Sequence, residues 1–361
     1  MRLSSFFYIH NVNKLSSSMI KDVISKSELE LLKYLGTGIY TVRDVVQKCC
    51  EACIPECITS FELLEKRKQR GGSFFPTSLK DLDQVLHGGL PFGTITEVAG
   101  PSGCGKTQFC VMLSVQATLP TTEGGMGGAV LYIDTESAFS PERLMEVAKE
   151  KHPHLFMSQE SLVTVGQRVL VDVQQTCAGL IKRLENLEEE IISHKVKLIV
   201  VDSIASLVRK EYTNCGGNRL AERTNFLSRQ AALLKNLAEV FNIPVVVTNQ
   251  ITTRIGHKKT IEFEEDNPPE LTSDSGYVTA ALGNTWSHNI NTRLILQYLD
   301  GHVRQVMVAK SPVSPFTSFN YVIENKGIVQ LEQTGGHYAG TDPGSQNIRV
   351  RSSLPISLAG T

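Results

Sequence analysis

One eight-residue segment constrains the fold of this chain more than any other feature. Residues 100–107 read Gly-Pro-Ser-Gly-Cys-Gly-Lys-Thr and satisfy the phosphate-binding pattern G-x-x-x-x-G-K-[ST]. The context supports the pattern, because residues 94–98 are rich in β-branched side chains and residues 108–117 have helical periodicity. A glycine-rich turn between a strand and a helix lets backbone N–H groups converge on phosphate oxygens. The segment therefore predicts an α/β fold that binds a nucleoside triphosphate.

The residues of this loop have predicted roles in binding ATP and Mg²⁺. Lys106 is expected to neutralise β- and γ-phosphate oxygens, which also makes it a candidate catalytic residue, and Thr107 is expected to hold Mg²⁺. The predicted nucleotide-binding residues of the loop and of the following helix start are Gly100, Pro101, Ser102, Gly103, Cys104, Gly105, Lys106, Thr107 and Gln108.

An acid at the end of a neighbouring strand would complete the metal site. Asp202 follows the apolar residues 198–201 and is predicted to be the second Mg²⁺ ligand. The alternative is that Asp202 caps the next helix beside Ser203.

Two further strand ends carry polar residues suited to hydrolysis. Asp134 and Glu136 follow residues 129–133, and Glu136 is the preferred base for the attacking water, because Asp134 lies closer to the strand. Gln250 follows residues 244–247 and would sense the γ-phosphate, or would only satisfy backbone groups.

The chain beyond the loop alternates between strand-like and helical segments. Helical periodicity covers residues 180–192 and 220–240. This alternation predicts a mainly parallel sheet covered by helices on both faces. Residues 294–298 and 303–308 flank an Asp300-Gly301 turn and indicate antiparallel strands at the sheet edge. The predicted sheet is therefore mixed.

The first part of the chain has a different organisation. Residues 19–63 have short helical repeats and predict a small all-α N-terminal domain, in which residues 35–39 form either a packed turn or a DNA-gripping helix-hairpin-helix turn. Residues 64–74 are charged and glycine-rich, which predicts a linker. Residues 1–18 are expected to be variable or disordered, and residues 335–361 to be a disordered tail.

Composition excludes several classes of protein. Lys and Arg number 36 against 37 Asp and Glu, so nucleic acid would bind at a local basic surface rather than through net charge. No apolar run approaches the roughly 18 residues of a membrane span. The 8 cysteines lack the spacing of a secreted disulfide framework and favour a reducing compartment. Residues 49–57 contain four of them, three at helical four-residue spacing, which favours buried helix cysteines over a zinc site.

Several motifs together indicate a family. They are residues 100–107, Tyr132-Ile133-Asp134-Thr135-Glu136, Pro141-Glu142-Arg143-Leu144, residues 198–203 and Thr248-Asn249-Gln250. Over residues 75–334 the chain resembles the RecA-like strand-exchange recombinases of eukaryotes and archaea. The stretches most similar to the B-type paralogues of vertebrates are Phe109-Cys110 and residues 135–139, 187–192 and 281–288. The resemblance implies a RecA-like P-loop ATPase core.

The resemblance also implies roles for individual residues. Glu136 matches the catalytic glutamate of the family, Gln250 its γ-phosphate sensor, and Arg143 the arginine that packs on adenine. The residues that match the two DNA-binding loops are Arg209, Lys210, Arg219 and Arg223 in the first and Arg254, Lys258 and Lys259 in the second.

Three departures from the family pattern limit what is carried over. Residues 58–61 stand where filament-forming relatives have a Phe-x-x-Ala tether, so self-polymerisation is not expected. Acids in residues 262–266 would repel a phosphate backbone, which argues against strand exchange by this chain alone. Lys310 replaces an aspartate that caps the neighbour's ATP; it either contacts the γ-phosphate across an interface or is a surface lysine.

The resemblance implies a nuclear, Mg·ATP-dependent subunit of a recombinase-paralogue complex in homologous recombination and double-strand break repair. Its expected partners are other paralogues, a C-type paralogue first, single-stranded or branched DNA and, indirectly, the main recombinase filament, but no membrane. DNA-dependent ATP hydrolysis would assist filament assembly or remodelling. Two alternatives remain, a non-hydrolysing adaptor that uses ATP to lock an interface and a stand-alone strand-exchange ATPase.

Overall fold

The computed structural model divides the chain into two compact units, residues 1–72 and 73–361. It describes residues 20, 23–24, 26–54, 57–69, 73–212, 218–254, 277–280, 282–299 and 301–332.

The first unit is helical, as the periodicity predicts. Its helices are α1 (Glu28–Leu35), α2 (Ile39–Cys53) and α3 (Ser60–Gln69). A capping box of Ser27 and Glu30 begins α1, and Gly36 ends it in the left-handed region at φ 60°. Buried side chains of residues 20–49, including Leu31 and Val42, form a separate small core.

The prediction that the clustered cysteines are buried in a helix is correct for one of the four and wrong for the other three. Cys49 is buried in the small core, whereas Cys50, Cys53 and Cys57 are exposed. No group of metal-ligating side chains is present among the residues that the structure describes.

The expected linker at residues 64–74 is partly helical instead. Residues 64–69 belong to α3, whose start is stabilised because Thr59 and Glu62 cap each other, with Glu62 N to Thr59 Oγ1 at 3.2 Å and Thr59 N to Glu62 Oε2 at 2.7 Å.

The second unit is an α/β fold. Its helices are α4 (Lys80–Val85), α5 (Lys106–Thr118), α6 (Pro141–Lys151), α7 (Gln159–Arg168), α8 (Cys177–Glu185), α9 (Glu188–Ser193), α10 (Ile204–Tyr212), α11 (Asn218–Phe241) and α12 (Gly283–Asn289), with a 3-10 helix at Thr121–Glu123. Its strands are β1 (Phe74–Phe75), β2 (Leu90–Pro91), β3 (Ile95–Gly100), β4 (Ala129–Asp134), β5 (Val169–Val173), β6 (Val196–Asp202), β7 (Val245–Arg254), β8 (Tyr277–Ala280), β9 (Thr292–Tyr298), β10 (Arg304–Lys310), β11 (Thr317–Glu324) and β12 (Gly327–Gln330).

The main sheet has the strand order β12-β11-β10-β9-β3-β7-β6-β4-β5, and β8 pairs with β7. From β9 through β5 the neighbouring strands are parallel, whereas β9 to β12 are joined antiparallel. The short strands β1 and β2 pair separately. A mixed, mainly parallel sheet with an antiparallel edge is thus confirmed.

Side-chain alternation along the strands divides the core into two layers. Val130 and Tyr132 of β4 pack with α5, α6 and α7, whereas Leu131 and Ile133 pack with α8, α10 and α11. Helix α5 is buried from Phe109 to Thr118, since it lies directly against the sheet. This burial fixes the end of α5 that follows the phosphate-binding loop.

Some elements differ from the sequence expectation. The helical pattern at residues 180–192 forms two helices, because α8 ends at Glu185 and α9 begins at Glu188. Neither the edge strand β5 nor strand β8 was predicted from the sequence. Among the described residues, no helix is long and apolar enough to cross a membrane.

Candidate nucleotide-binding site

The carboxyl ends of four neighbouring parallel strands meet at one edge of the sheet. Strands β3, β7, β6 and β4 are adjacent and parallel, in that order. The sequence-predicted residues follow or end these strands, so the fold brings them to one place. Open α/β sheets bind ligands at this edge.

The phosphate-binding loop, residues 100–107, needs glycine for steric reasons at both ends. A Cβ on Gly100 would lie 2.5 Å from the carbonyl oxygen of Leu296. Gly105 has φ +101°, and a Cβ there would lie 2.7 Å from Ile323 Cδ1. The backbone thus turns tightly into the first turn of α5. The N-cap residue Gly105 makes no side-chain capping hydrogen bond, so the first N–H groups of the helix can hold an anion.

Two tyrosines that the sequence did not single out support this loop. The Tyr321 hydroxyl donates to the Cys104 carbonyl oxygen at 2.6 Å, and the Tyr298 hydroxyl donates to that of Ser102 at 3.1 Å. Tyr298 lies on β9 and Tyr321 on β11, at the antiparallel side of the sheet. A contact over such a distance in sequence leaves no local signal.

Lys106 lies folded back into its own loop. Its Nζ donates to the carbonyl oxygens of Gly100 at 3.1 Å and Pro101 at 2.9 Å. Burial lowers the pKa of Lys106, and the charge of Asp202 opposes that change. A cation held at this position is suited to receive phosphate oxygens.

Thr107 and Asp202 meet directly, although they lie on α5 and β6. Thr107 Oγ1 donates to Asp202 Oδ2 at 2.7 Å, and the buried Tyr132 hydroxyl donates to the same oxygen at 2.8 Å. The Thr248 hydroxyl donates to Asp202 Oδ1. A hydroxyl and a carboxylate are hard oxygen ligands of the kind Mg²⁺ takes beside substrate phosphates and waters, so the pair fits that ion.

Glu136 is exposed and oriented by two donors. Its Oε1 accepts a hydrogen bond from Ser203 Oγ at 2.9 Å and another from Gln250 Nε2 at 3.2 Å. Asp134 instead is buried and accepts backbone N–H groups from Glu136 at 3.0 Å and Phe139 at 2.9 Å. Asp134 therefore shapes the turn, and Glu136 presents a carboxylate to the site.

Arg143 is half-buried on α6 and joins the helix start after the loop to the β11–β12 turn. Its Nε donates to Gln108 Oε1 at 2.7 Å, and its Nη2 donates to the Glu324 carbonyl oxygen at 2.6 Å. The Nη1 atom contacts the Asn325 carbonyl oxygen at 2.9 Å. A guanidinium fixed in this way offers a rigid flat surface.

Lys310 lies at the end of β10, and its contacts are to the end of α12. Its Nζ donates to the carbonyl oxygens of Ser287 at 2.9 Å and Ile290 at 2.6 Å. A cation suits the carbonyl end of a helix. Its proposed contact with a neighbour's nucleotide stays a prediction.

The structure describes the side chains of only some of the predicted DNA-binding residues. Arg209 and Lys210 are exposed in the last turn of α10, and Arg223 is half-buried on α11. Arg209 Nη1 donates to Gln250 Oε1, which sequence reasoning did not foresee. The residues whose side chains lie outside the described part are Arg219, Arg254, Lys258 and Lys259.

Sequence reasoning also missed a buried acid on β3, the strand that leads into the phosphate-binding loop. Glu97 of β3 accepts hydrogen bonds from Asn249 Nδ2 at 2.6 Å, from Trp286 Nε1 at 2.9 Å and from Arg293 Nε. Its side chain is fully buried, whereas that of Arg293 is 15% exposed. An acid within an apolar strand is a usable signal, because buried carboxylates require partners.

Comparisons with known proteins find a matching family model and several relatives. The Rad51 family model matches residues 74–331. Mouse DNA repair protein RAD51 homolog 2 is 49% identical over 313 residues, which cover 85% of this chain and 89% of that protein. The Arabidopsis thaliana protein of that name is 36% identical, with 97% and 93% covered. The Saccharomyces cerevisiae meiotic recombination protein DMC1 is 32% identical, with 87% and 97% covered.

Proposed function

Because this chain belongs to the Rad51 family, we propose that it binds and hydrolyses Mg·ATP as a subunit of a recombinase-paralogue complex in homologous recombination and double-strand break repair. The names of its relatives, DNA repair and meiotic recombination proteins, support the process. The family is of RecA-like ATPases, which supports the reaction.

One observation carries the proposal: each strand end supplies a different part of a hydrolytic site. The loop after β3 provides Lys106 and Thr107, β6 provides Asp202, the turn after β4 provides Glu136, and β7 provides Gln250. Hydrogen bonds already join Thr107 to Asp202 and Gln250 to Glu136. A protein that only bound nucleotide would need the first pair and not the second.

The roles follow from the chemistry of these groups. Backbone N–H groups of the loop and Lys106 would bind the phosphates, and Arg143 would pack against the adenine ring. Thr107 and Asp202 would hold Mg²⁺, which neutralises charge on the phosphate oxygens. Glu136 would orient the attacking water and accept its proton, while Gln250 contacts the γ-phosphate. Pre-positioning supplies most of the catalysis in phosphoryl transfer.

The proposed partners follow from the family and from the surface. Exposed Arg209 and Lys210 lie beside the nucleotide site and are suited to single-stranded or branched DNA. Lys310 is proposed to approach the nucleotide of a neighbouring paralogue, of C type first. The complex would act in the nucleus and assist assembly or remodelling of the main recombinase filament.

Steady-state ATP hydrolysis tests this proposal. The chain is assayed alone and with a co-purified paralogue, each with and without single-stranded DNA, and Lys106→Ala is compared with the exposed Lys149→Ala. We expect turnover that rises with partner and DNA and is lost only in Lys106→Ala. Nucleotide binding that tightens the complex without Lys106-dependent turnover would support the non-hydrolysing adaptor instead of an enzyme. Full strand exchange by the chain alone would support a stand-alone strand-exchange ATPase instead of a subunit of a paralogue complex.

A further inference from the structure

Three side chains form a row across the antiparallel strands beside the phosphate-binding loop. Arg304 of β10 lies opposite Tyr298 of β9 and opposite Tyr321 of β11 in the strand register. Residues directly opposite each other in neighbouring strands share one face of the sheet. The Arg304 guanidinium also lies over the Tyr298 ring, 5.4 Å from its centre. This cross-strand row (Tyr298, Arg304 and Tyr321) therefore presents two phenol groups on the same face of the sheet.

Both hydroxyl groups of the cross-strand row hold carbonyl oxygens of the loop. The Tyr321 hydroxyl donates to the Cys104 carbonyl oxygen at 2.6 Å, and the Tyr298 hydroxyl donates to the Ser102 carbonyl oxygen at 3.1 Å. Tyr321 is buried, and burial raises the pKa of its phenol well above the ordinary value of 10, so the hydroxyl keeps the proton that it donates. The row thus holds two peptide groups of the loop, those that join residues 102–103 and 104–105.

Glycine at the second position of each of these peptide groups permits the close approach. Gly103 has φ +78°, and a Cβ on this residue would collide with the Tyr298 hydroxyl oxygen. Gly105 has φ +101°. Both values lie in the region that favours glycine. The two glycines therefore allow the backbone conformation in which the carbonyl oxygens of Ser102 and Cys104 reach the cross-strand row.

The geometry of the peptide group links these two contacts to phosphate binding. A trans peptide group is planar, and its N–H points in the opposite direction to its C=O. The Ser102 carbonyl shares a peptide group with the Gly103 N–H, and the Cys104 carbonyl shares one with the Gly105 N–H. Because each oxygen is held towards the row, each N–H points away from the row. Backbone N–H groups that converge in this way are suited to hold phosphate oxygens.

We propose that Tyr298 and Tyr321 are positioning residues that aim the N–H groups of Gly103 and Gly105 at the phosphates of the bound nucleotide. The inference rests on the proposed binding of Mg·ATP and gives the antiparallel edge of the sheet a part in it. Loop N–H groups hold the phosphates in the ground state and in the transition state alike. Loss of either hydroxyl should therefore raise the KM for ATP and leave kcat nearly unchanged.

Competition binding to the full chain tests this role with two probes that displace a fluorescent ATP analogue. Inorganic tripolyphosphate has the phosphate groups of ATP without the nucleoside, and adenosine has the nucleoside without the phosphates. For Tyr321→Phe we expect the affinity for tripolyphosphate to fall about fivefold, as for the loss of one hydrogen bond, and that for adenosine to change less than about 1.5-fold. Tyr298→Phe should show the same selectivity with a loss of at least about twofold, because its hydrogen bond is longer.

Two further measurements complete the test. Tyr40→Phe is the matched control, because Tyr40 is exposed in the first unit, and it should leave both affinities unchanged. In steady-state hydrolysis, the KM for ATP should rise in both loop variants while kcat stays within about twofold. Tyr298 is only half-buried, so Tyr298→Phe decides the question even if Tyr321→Phe does not fold.

Three results would overturn the inference. Unchanged tripolyphosphate affinity in Tyr298→Phe and in any folded Tyr321→Phe would show that the loop orients its N–H groups without the cross-strand row. Equal losses for adenosine and tripolyphosphate, with a lower thermal midpoint, would show a general structural role of the two tyrosines. Failure of the unsubstituted chain to bind ATP or tripolyphosphate would instead remove the proposed function, and the positioning role with it.

Discussion

Thr107 Oγ1 and Asp202 Oδ2 lie 2.7 Å apart, although 95 residues separate them in sequence. Helix α5 is buried and β6 lies within the sheet, so neither partner needs to move far to meet a shared ligand. Tyr132 holds the same carboxylate oxygen at 2.8 Å. The protein's own side chains therefore hold the two proposed metal ligands in a fixed orientation relative to each other.

Loss of the Asp202 charge should make nucleotide binding insensitive to Mg²⁺. Mg²⁺ should raise the ATP affinity of Asp202→Asn at least about 10-fold less than it raises that of the unsubstituted chain. Substitution of a residue that only orients a metal ligand typically causes a loss of this size. Titration of a fluorescent ATP analogue with and without Mg²⁺ measures the gain, and the exposed Glu150→Gln serves as the control. An unchanged Mg²⁺ response would show that Asp202 is only a helix cap.

Removal of the buried Glu97 carboxylate should destabilise the second unit strongly. Glu97→Ala leaves the Arg293 cation and the Trp286 N–H without their partner, and we expect a loss of about 3–5 kcal/mol in the free energy of unfolding. Urea unfolding followed by the fluorescence of Trp286, the single tryptophan, measures it. The exposed Glu239→Ala should change stability by less than about 0.5 kcal/mol. Equal stability of the two variants would contradict the assigned network.

The stability of the second unit should rise with pH above 8 because of Lys151. Burial lowers the pKa of Lys151 to about 8 from its ordinary value of 10.5, while the charge of Asp83 opposes the change. Between these pH values the unfolded chain binds more protons than the folded one, so the free energy of unfolding increases with pH. The gain should be on the order of 1 kcal/mol between pH 7.5 and 9.5.

Lys151→Met isolates this contribution, since other groups titrate in both proteins. The difference in unfolding free energy between the unsubstituted chain and the variant should shift in favour of the unsubstituted chain as pH rises. A difference independent of pH would show that Lys151 is solvated and has an ordinary pKa.

Much of the site was predictable because parallel strands share an edge. Lys106 and Thr107 follow from a local pattern, and the positions of Asp202, Glu136 and Gln250 follow from apolar strands that end in polar residues. The place of these residues at one sheet edge could be predicted in this way, whereas their side-chain contacts depend on the order of the strands.

Other features depend on tertiary packing and have no local signal. The contact of Arg209 with Gln250 exists because α10 lies against the end of β7, and the periodicity of α10 reports only which of its sides is buried. Strand β5 (Val-Leu-Val-Asp-Val) is too short to distinguish from the end of the preceding helix. The helix at residues 64–69 was missed because its charged sequence buries no side chain.

The most direct test of a hydrolytic ATP site is the separation of ATP binding from turnover in Glu136→Gln. The amide keeps the size of the side chain but cannot accept a proton from water, so we expect nucleotide affinity within about twofold of the unsubstituted chain and a loss of about 10²–10⁴-fold in single-turnover hydrolysis. Glu150→Gln should hydrolyse ATP normally. Undiminished hydrolysis by Glu136→Gln would contradict the assignment of the catalytic base and, with it, the account of how this sheet edge works.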